Sequence, residues 1–194
     1  MPKPTAIVYI DGLNLQRRLL DRTELETWVD FQTLVEKLLL DYEVKLVRLF
    51  TSRTNVARPA IQDRYWAKLG RNSRKLFVEF GRLKTTVRIY PVHSQNPMDG
   101  AELVKVKKIE EKGSDVSLGA HMVLDASKRL GDVFVLVSCD TDFYPALDLI
   151  KNEFQAKIGF LIPGARMPKL FATLEPEFVR HLDYGDIIGS QIWL

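Results

Sequence analysis

Cysteine is almost absent from this sequence. One residue, Cys139, is present, so an internal disulfide and a cysteine-based zinc set are both excluded, as suits a reducing cytoplasm. Long apolar runs are lacking too, and none approaches the ~20 residues of a membrane span. The start, Met1-Pro2-Lys3-Pro4, carries no apolar h-region or cleavage site before the first strand. Secretion is therefore not expected, and a cytoplasmic location is. Low-complexity segments, linkers and internal repeats are also missing, so residues 1–194 are expected to form a single domain with a substantial core.

A large charge of either sign is lacking overall, for the net is only +3. Its distribution is uneven. Residues 45–112 hold 16 Lys and Arg against 6 acids, a net of +10, which leaves −7 on the rest. A basic middle beside acidic elements suits a protein that binds a polyanion and cuts it. An ordinary solvated surface, with lysines on helix backs, is the plainer alternative.

What is present is a pair of apolar strands that each stop at carboxylates. Ala6 to Ile10 ends in Asp11-Gly12-Leu13-Asn14, and Val133 to Val137 ends in Ser138-Cys139-Asp140-Thr141-Asp142-Phe143. Open α/β sheets place their sites at the carboxyl ends of parallel strands. Grouped carboxylates suit Mg²⁺ or Mn²⁺, because hard cations prefer oxygen.

The remaining elements follow from periodicity. Leu13 to Leu20 reads as a short helix or turn. Asp30 caps a helix carrying Phe31, Leu34, Val35, Leu38 and Leu39. Val44 to Phe50 is the second strand, residues 59–82 a helix broken near Gly70 to Ser73, and Thr86 to Val92 the third strand. Alternation in Leu103 to Lys112 hints at a further strand. A helix is expected from Val116 to Arg129, a fourth strand over 133–138, a helix from Pro145, a fifth strand over Lys157 to Ile162, and a helical turn or two within 168–182. The apolar tail, Ile187 to Leu194, is expected to add an extra C-terminal strand or to serve as an interface, which leaves a homodimer open. Strands alternating with helices predict a mainly parallel sheet with helices on both faces. With the first strand between the second and fourth, Asp11, Asp140 and Asp142 would meet.

Three segments carry a family resemblance. Tyr9-Ile10-Asp11-Gly12-Leu13-Asn14 resembles the opening motif of NYN domains, a branch of the PIN-like ribonuclease superfamily. Glu111-Lys112-Gly113-Ser114-Asp115-Val116-Ser117-Leu118 is similar to the second motif, and Ser138-Cys139-Asp140-Thr141-Asp142-Phe143 to the third. The resemblance implies a three-layer α/β/α sandwich around a five-stranded sheet of order 3-2-1-4-5, and metal-dependent hydrolysis of RNA, single-stranded by expectation. It implies Asp11, Asn14, Asp115, Asp140 and Asp142 as catalytic positions, the four aspartates also being ligands of Mg²⁺ or Mn²⁺. Where many members carry a further acid this chain has His121, with Asp125 four residues beyond. That departure keeps a second reading alive: a catalytically weak or inactive RNA-binding protein of the same fold. A haloacid-dehalogenase-like phosphatase, suggested by Asp140-Thr141-Asp142, fits less well, because its Asp-x-Asp belongs after the first strand.

Each residue also has a plainer role. Asp11 suits an Asx-turn, and Asp115 suits a helix cap. His121 is expected to pack or face solvent, and His93 and His181 to lie on the surface. Cys139 is expected to be a small buried filler, and Tyr65, Trp66 and Phe77 to be core. Arg53, Arg58, Arg166 and Lys169 follow strand ends on the site side and are candidates for holding phosphate.

Overall fold

The computed structural model describes residues 2–20, 28–53, 59–92 and 103–192. His93, Arg58 and the end of the tail, Trp193-Leu194, lie outside the described residues.

The chain runs β1 (Thr5–Asp11), α1 (Gly12–Leu15), a π-helical turn (Gln16–Leu20), α2 (Phe31–Leu38), β2 (Glu43–Thr51), α3 (Pro59–Asn72), β3 (Leu76–Phe80), β4 (Arg82–Pro91) and β5 (Leu103–Lys112). It continues through α4 (Ser114–Ser127), β6 (Val133–Val137), a 3-10 turn (Thr141–Phe143), α5 (Tyr144–Asn152), β7 (Lys157–Pro163), α6 (Lys169–Ala172), β8 (Phe178–Leu182) and α7 (Tyr184–Ile188). Six strands form a sheet of order β3-β2-β1-β6-β7-β8, with every pairing parallel.

Strand alternation divides the core into two layers. From β1 and β6, Ala6, Val8, Ile10, Val133, Val135 and Val137 point to one face, against α2, α3 and α7. Ile7, Tyr9, Phe134 and Leu136 point to the other, against α4, α5 and α6. Both strands are buried on both sides, which explains their continuous apolar runs. Burying each such side chain contributes roughly 1.5–3 kcal/mol. Among the described residues no helix is long and apolar enough to cross a membrane.

The α/β class and the parallel sheet match the expectation; the strand count and the edges do not. Leu76 to Phe80, expected as the end of a helix, is instead the edge strand β3. Helix α3 stops at Asn72, where the Ser73 amide still bonds the Leu69 carbonyl, and the Lys75 carbonyl already accepts the Val47 amide of β2. Phe77, expected in the core, is 59% exposed on that edge. Thr86 to Val92, expected as the third sheet strand, falls in β4, which pairs only with β5 as a separate antiparallel ribbon. The sixth strand is β8, within a stretch expected to be helical. Among the described residues of the tail, Ile187 and Ile188 end α7 and Gln191 makes one bridge to Val29, in place of a strand. Asp183 caps α7 with a reciprocal capping box, which explains the helix.

Candidate active site

Strand β1 sits between β2 and β6, so its carboxyl end lies where the winding of the sheet reverses. Ile10 pairs with Val137 and Asp11 with Phe50. This register puts Asp11 beside Ser138 and directs the loop that holds Asp140 and Asp142 to the same edge.

Hydrogen bonds knit the two strand ends together. Asp11 caps α1: its Oδ1 accepts from the Asn14 amide at 3.0 Å. Its Oδ2 accepts from Ser138 Oγ at 3.0 Å, and Ser138 Oγ in turn accepts from the Asp140 amide at 3.0 Å. Asn14 Oδ1 accepts from the Cys139 amide at 3.2 Å. Asp140 caps the 3-10 turn, its Oδ1 accepting from the Asp142 amide at 3.0 Å. The turn role expected of Asp11 is therefore real, whereas the cap expected of Asp115 is not, because Gly113 holds the N-cap position of α4 and no side chain caps it. These hydrogen bonds also fix the Asp11 and Asp140 carboxylates in place, each with lone pairs to spare. Gly12 makes the turn possible, because a Cβ there would meet the Phe50 carbonyl oxygen at 2.9 Å.

Asp115 stands in the first turn of α4, exposed, its carboxylate 3.4 Å from Ser114 Oγ. Electrostatic coupling joins it to the others. Although its surface is open to water, the bulk of protein beside it desolvates the Asp115 carboxyl and raises it above the usual range, and the charges of Glu111, Asp140 and Asp142 raise it further. Asp11 is 6% exposed, and burial pushes its carboxyl up to about 6, with the charges of Asp115 and Asp140 adding to the effect. None of the four aspartates takes part in an ion pair among the described residues. Nor do three His, Cys, Asp or Glu residues among them converge into a ready cation cage. The donors fit a hard divalent ion in kind, as oxygen ligands carrying uncompensated charge.

The burial of Asp11 predicts a pH effect on stability. Its carboxyl is raised in the fold, so between pH ~4 and ~6 the folded state holds more protons than the unfolded chain. Stability is full below that window and falls as pH rises through it. In EDTA, Asp11→Asn should therefore be more stable than wild type at pH 7, by on the order of 3 kcal/mol, and melt at a higher temperature. The gap should close by pH 4. Thermal melts across pH check this, and equal melting of the two proteins at every pH would contradict it.

The other foreseen residues divide. Arg53 lies at the site edge, ion-paired with Asp63 at 3.3 Å and 5.1 Å over the Phe80 ring. Arg166 and Lys169 are exposed beyond β7, with the Arg166 carbonyl 4.0 Å from Cys139 Sγ. Cys139 is buried, burial pushes its thiol up, and it donates to the Pro163 carbonyl at 3.5 Å, as a filler would. His121 bonds the Ser117 carbonyl at 2.9 Å and packs 5.6 Å from the Phe50 ring, with Nε2 4.0 Å from Glu79. Asp125 is withdrawn from the site. Arg48 Nε and Tyr9 Oη each donate to its Oδ2 at 2.8 Å.

Three residues escaped the sequence reading as site members. Ser138 links Asp11 to Asp140, Glu111 accepts from the Ser114 amide at 3.1 Å, and Arg18 lies close enough to bear on the Cys139 thiol. Ser138 and Glu111 stood inside the recognised motifs, whereas Arg18 carries no signal in sequence. Beside Asp115 and Asp142, an open groove runs between α4 and α5 past Val116, Gly119, Pro145 and Leu149.

Comparison with known proteins gives the family and the fold. The chain is 26% identical over 216 residues to the 6-hydroxy-3-succinoylpyridine 3-monooxygenase HspA of Pseudomonas putida, a match covering 95% of this chain and 69% of that protein. A crystal structure of a Vibrio parahaemolyticus protein of unknown function shares the fold, with a TM-score of 0.58 and 13% identity over 93% of this chain and 94% of that one. The NYN domain pattern matches residues 5–181, from β1 into β8. With the three motifs in order around the carboxyl edge of the sheet, the chain belongs to the NYN domain family, a branch of the PIN-like ribonucleases.

Proposed function

We propose that this chain is a metal-dependent ribonuclease. The observation that carries the reading is Asp11: a carboxylate at the switch point, raised chiefly by burial and further by the charges of Asp115 and Asp140, and paired with no cation among the described residues. Asp11 and Asp140 would hold Mg²⁺ or Mn²⁺, with the exposed Asp115 and Asp142 completing the set of carboxylates around it. When bound, such an ion supplies Lewis acidity toward phosphoryl oxygens and lowers the pKa of an attacking water.

The residues of the chain supply position. Asn14 and Ser138 hold the Asp11 carboxylate through their amide and hydroxyl. Asn14 Oδ1 already accepts from the Cys139 amide, so its Nδ2 is the group left to donate to a substrate phosphate. Asp115 and Asp142 orient water, and the groove between α4 and α5 offers an apolar floor for a base flanking the scissile phosphate.

The test is purified protein with labelled single-stranded RNA and Mn²⁺, Mg²⁺ or EDTA. Cleavage is expected with either ion and not in EDTA. Without RNA, Mn²⁺ at ~100 times its dissociation constant should stabilise the fold by about 2.7 kcal/mol, a shift of several degrees in Tm. Cleavage indifferent to EDTA, or no effect of Mn²⁺ on Tm, would sink the reading. A second reading comes from the similarity to HspA, named as a monooxygenase: the same groove accepts a small aromatic acid for hydroxylation. Oxygen uptake with 6-hydroxy-3-succinoylpyridine and a two-electron reductant, in the absence of RNA cleavage, would favour it.

A further inference from the structure

The β4–β5 ribbon is the largest feature that the site does not use. Its two ten-residue strands extend roughly 30 Å and pair only with each other. It is rooted at the acidic edge. Gly81, just after β3, donates its amide to the Thr51 carbonyl at 2.8 Å. At the other root, Glu111 holds the Ser114 amide, one residue before Asp115.

Directly opposed residues of an antiparallel pair share a face. The register therefore sorts the ribbon into two faces. One face carries Arg82, Lys84, Arg88, Lys108 and Lys112, with Glu110 its single acid and Tyr90 near the far end. The other carries Leu83, Val87, Ile89, Leu103 and Ile109, with Lys105 and Lys107 among them. On the basic face Glu110 pairs with Lys108 and Lys112, which leaves Arg82, Lys84 and Arg88 with no ion pair among the described residues. Arg82 stands directly across from Lys112. Like charges opposed across a ladder destabilise it, and among the described residues Glu110, across from Lys84, is the one acid on this face to offset five cations.

We propose that this face of the ribbon grips the phosphate backbone of single-stranded RNA and leads it to the Asp11–Asp140 edge, with Tyr90 as a stacking platform for a base. The proposal rests on the ribonuclease reading only for the identity of the polyanion. It shifts the main RNA contact away from Arg53, which Asp63 already pairs.

Binding without turnover tests it. The full chain is titrated in EDTA against a labelled RNA of about 20 nucleotides across roughly 50–200 mM salt. Each phosphate contact on a single strand contributes about −0.7 to the slope of log K against log salt. R82A/K84A/R88A should weaken binding roughly tenfold or more and make that slope shallower by about 2. K105A/K107A, on the opposite face, should lose far less, and R82K/K84R/R88K should bind as wild type does. Circular dichroism melts confirm that each variant is folded. Hydrolysis of a small diester, bis(p-nitrophenyl) phosphate, should be unchanged in R82A/K84A/R88A, because that substrate cannot reach the ribbon.

An unchanged slope, an equal loss from K105A/K107A, or no salt-dependent RNA binding by wild type would each overturn the proposal. RNA bound through the ribbon but never cut would leave it standing and end the hydrolase reading. Cleavage that persists with a silent ribbon would do the reverse.

Discussion

Asp140→Asn should lower RNA cleavage by on the order of 10²–10³-fold and leave the fold intact, the loss expected when one fixed charge is removed from a site that stabilises developing charge. The substitution is close to isosteric, and the cap survives it. The Asp142 amide donates to Asp140 Oδ1, and an asparagine carbonyl oxygen can accept that bond as well. What disappears is one negative charge from a set that already strains Asp11 and Asp115. Metal-free stability should hold or rise, while the gain in Tm on adding Mn²⁺ shrinks. Cleavage assays with Mn²⁺, alongside melts with and without the ion, separate the two effects. Lost activity accompanied by a lower metal-free Tm would make Asp140 a structural cap and nothing more.

The centre of this fold was legible in sequence because its signals are local. Buried parallel strands read as continuous apolar runs, and β1 and β6 each end at an acid within the next few residues. The edges were not legible. Leu76, Phe77 and Phe80 extend the spacing of Tyr65, Trp66 and Leu69 closely enough to pass for one helix. Only pairing with β2 makes Leu76–Phe80 a strand, and an edge strand has no full apolar face to announce it. Likewise Thr86 to Val92 is β-branched enough to be recognised as extended. Its separation from the sheet depends on β5 arriving as its only partner.

The link from Asp11 through Ser138 to Asp140 depends on which strands neighbour β1, and sequence periodicity cannot supply that order. Asp125 shows the same limit from the other side. A carboxylate one turn past His121 reads alike whether it faces a cation or an arginine. The register that sets Tyr9 beside Arg48, under α4, decides the matter.

Asp125→Ala should therefore damage stability and spare the chemistry. The carboxylate is 2% exposed, and it accepts from Arg48 Nε at 2.8 Å, Arg48 Nη2 at 3.2 Å and Tyr9 Oη at 2.8 Å. Burial and the Asp125 charge both push the Tyr9 phenol up, so it stays a protonated donor at any working pH. Removing the carboxylate strands a guanidinium and a phenol inside the layer between α4 and the sheet. Breaking a buried pair from one side costs 3–5 kcal/mol. The Arg48 side chain is 22% exposed and can recover some water, so about 3 kcal/mol is expected here. For a chain of this length that lowers Tm by about 6–12 °C. Asp125→Asn keeps an acceptor for Tyr9 and should cost less. Replacing Arg48 and Asp125 together by apolar residues should recover part of the loss, because two well-packed apolar groups strand no charge. Below the melting transition, cleavage by Asp125→Ala should stay within a few-fold of wild type, since the carboxylate is buried and taken up by Arg48 and Tyr9. Activity lost at a temperature where the variant remains folded would return Asp125 to the metal site and make Arg48 its counter-ion there.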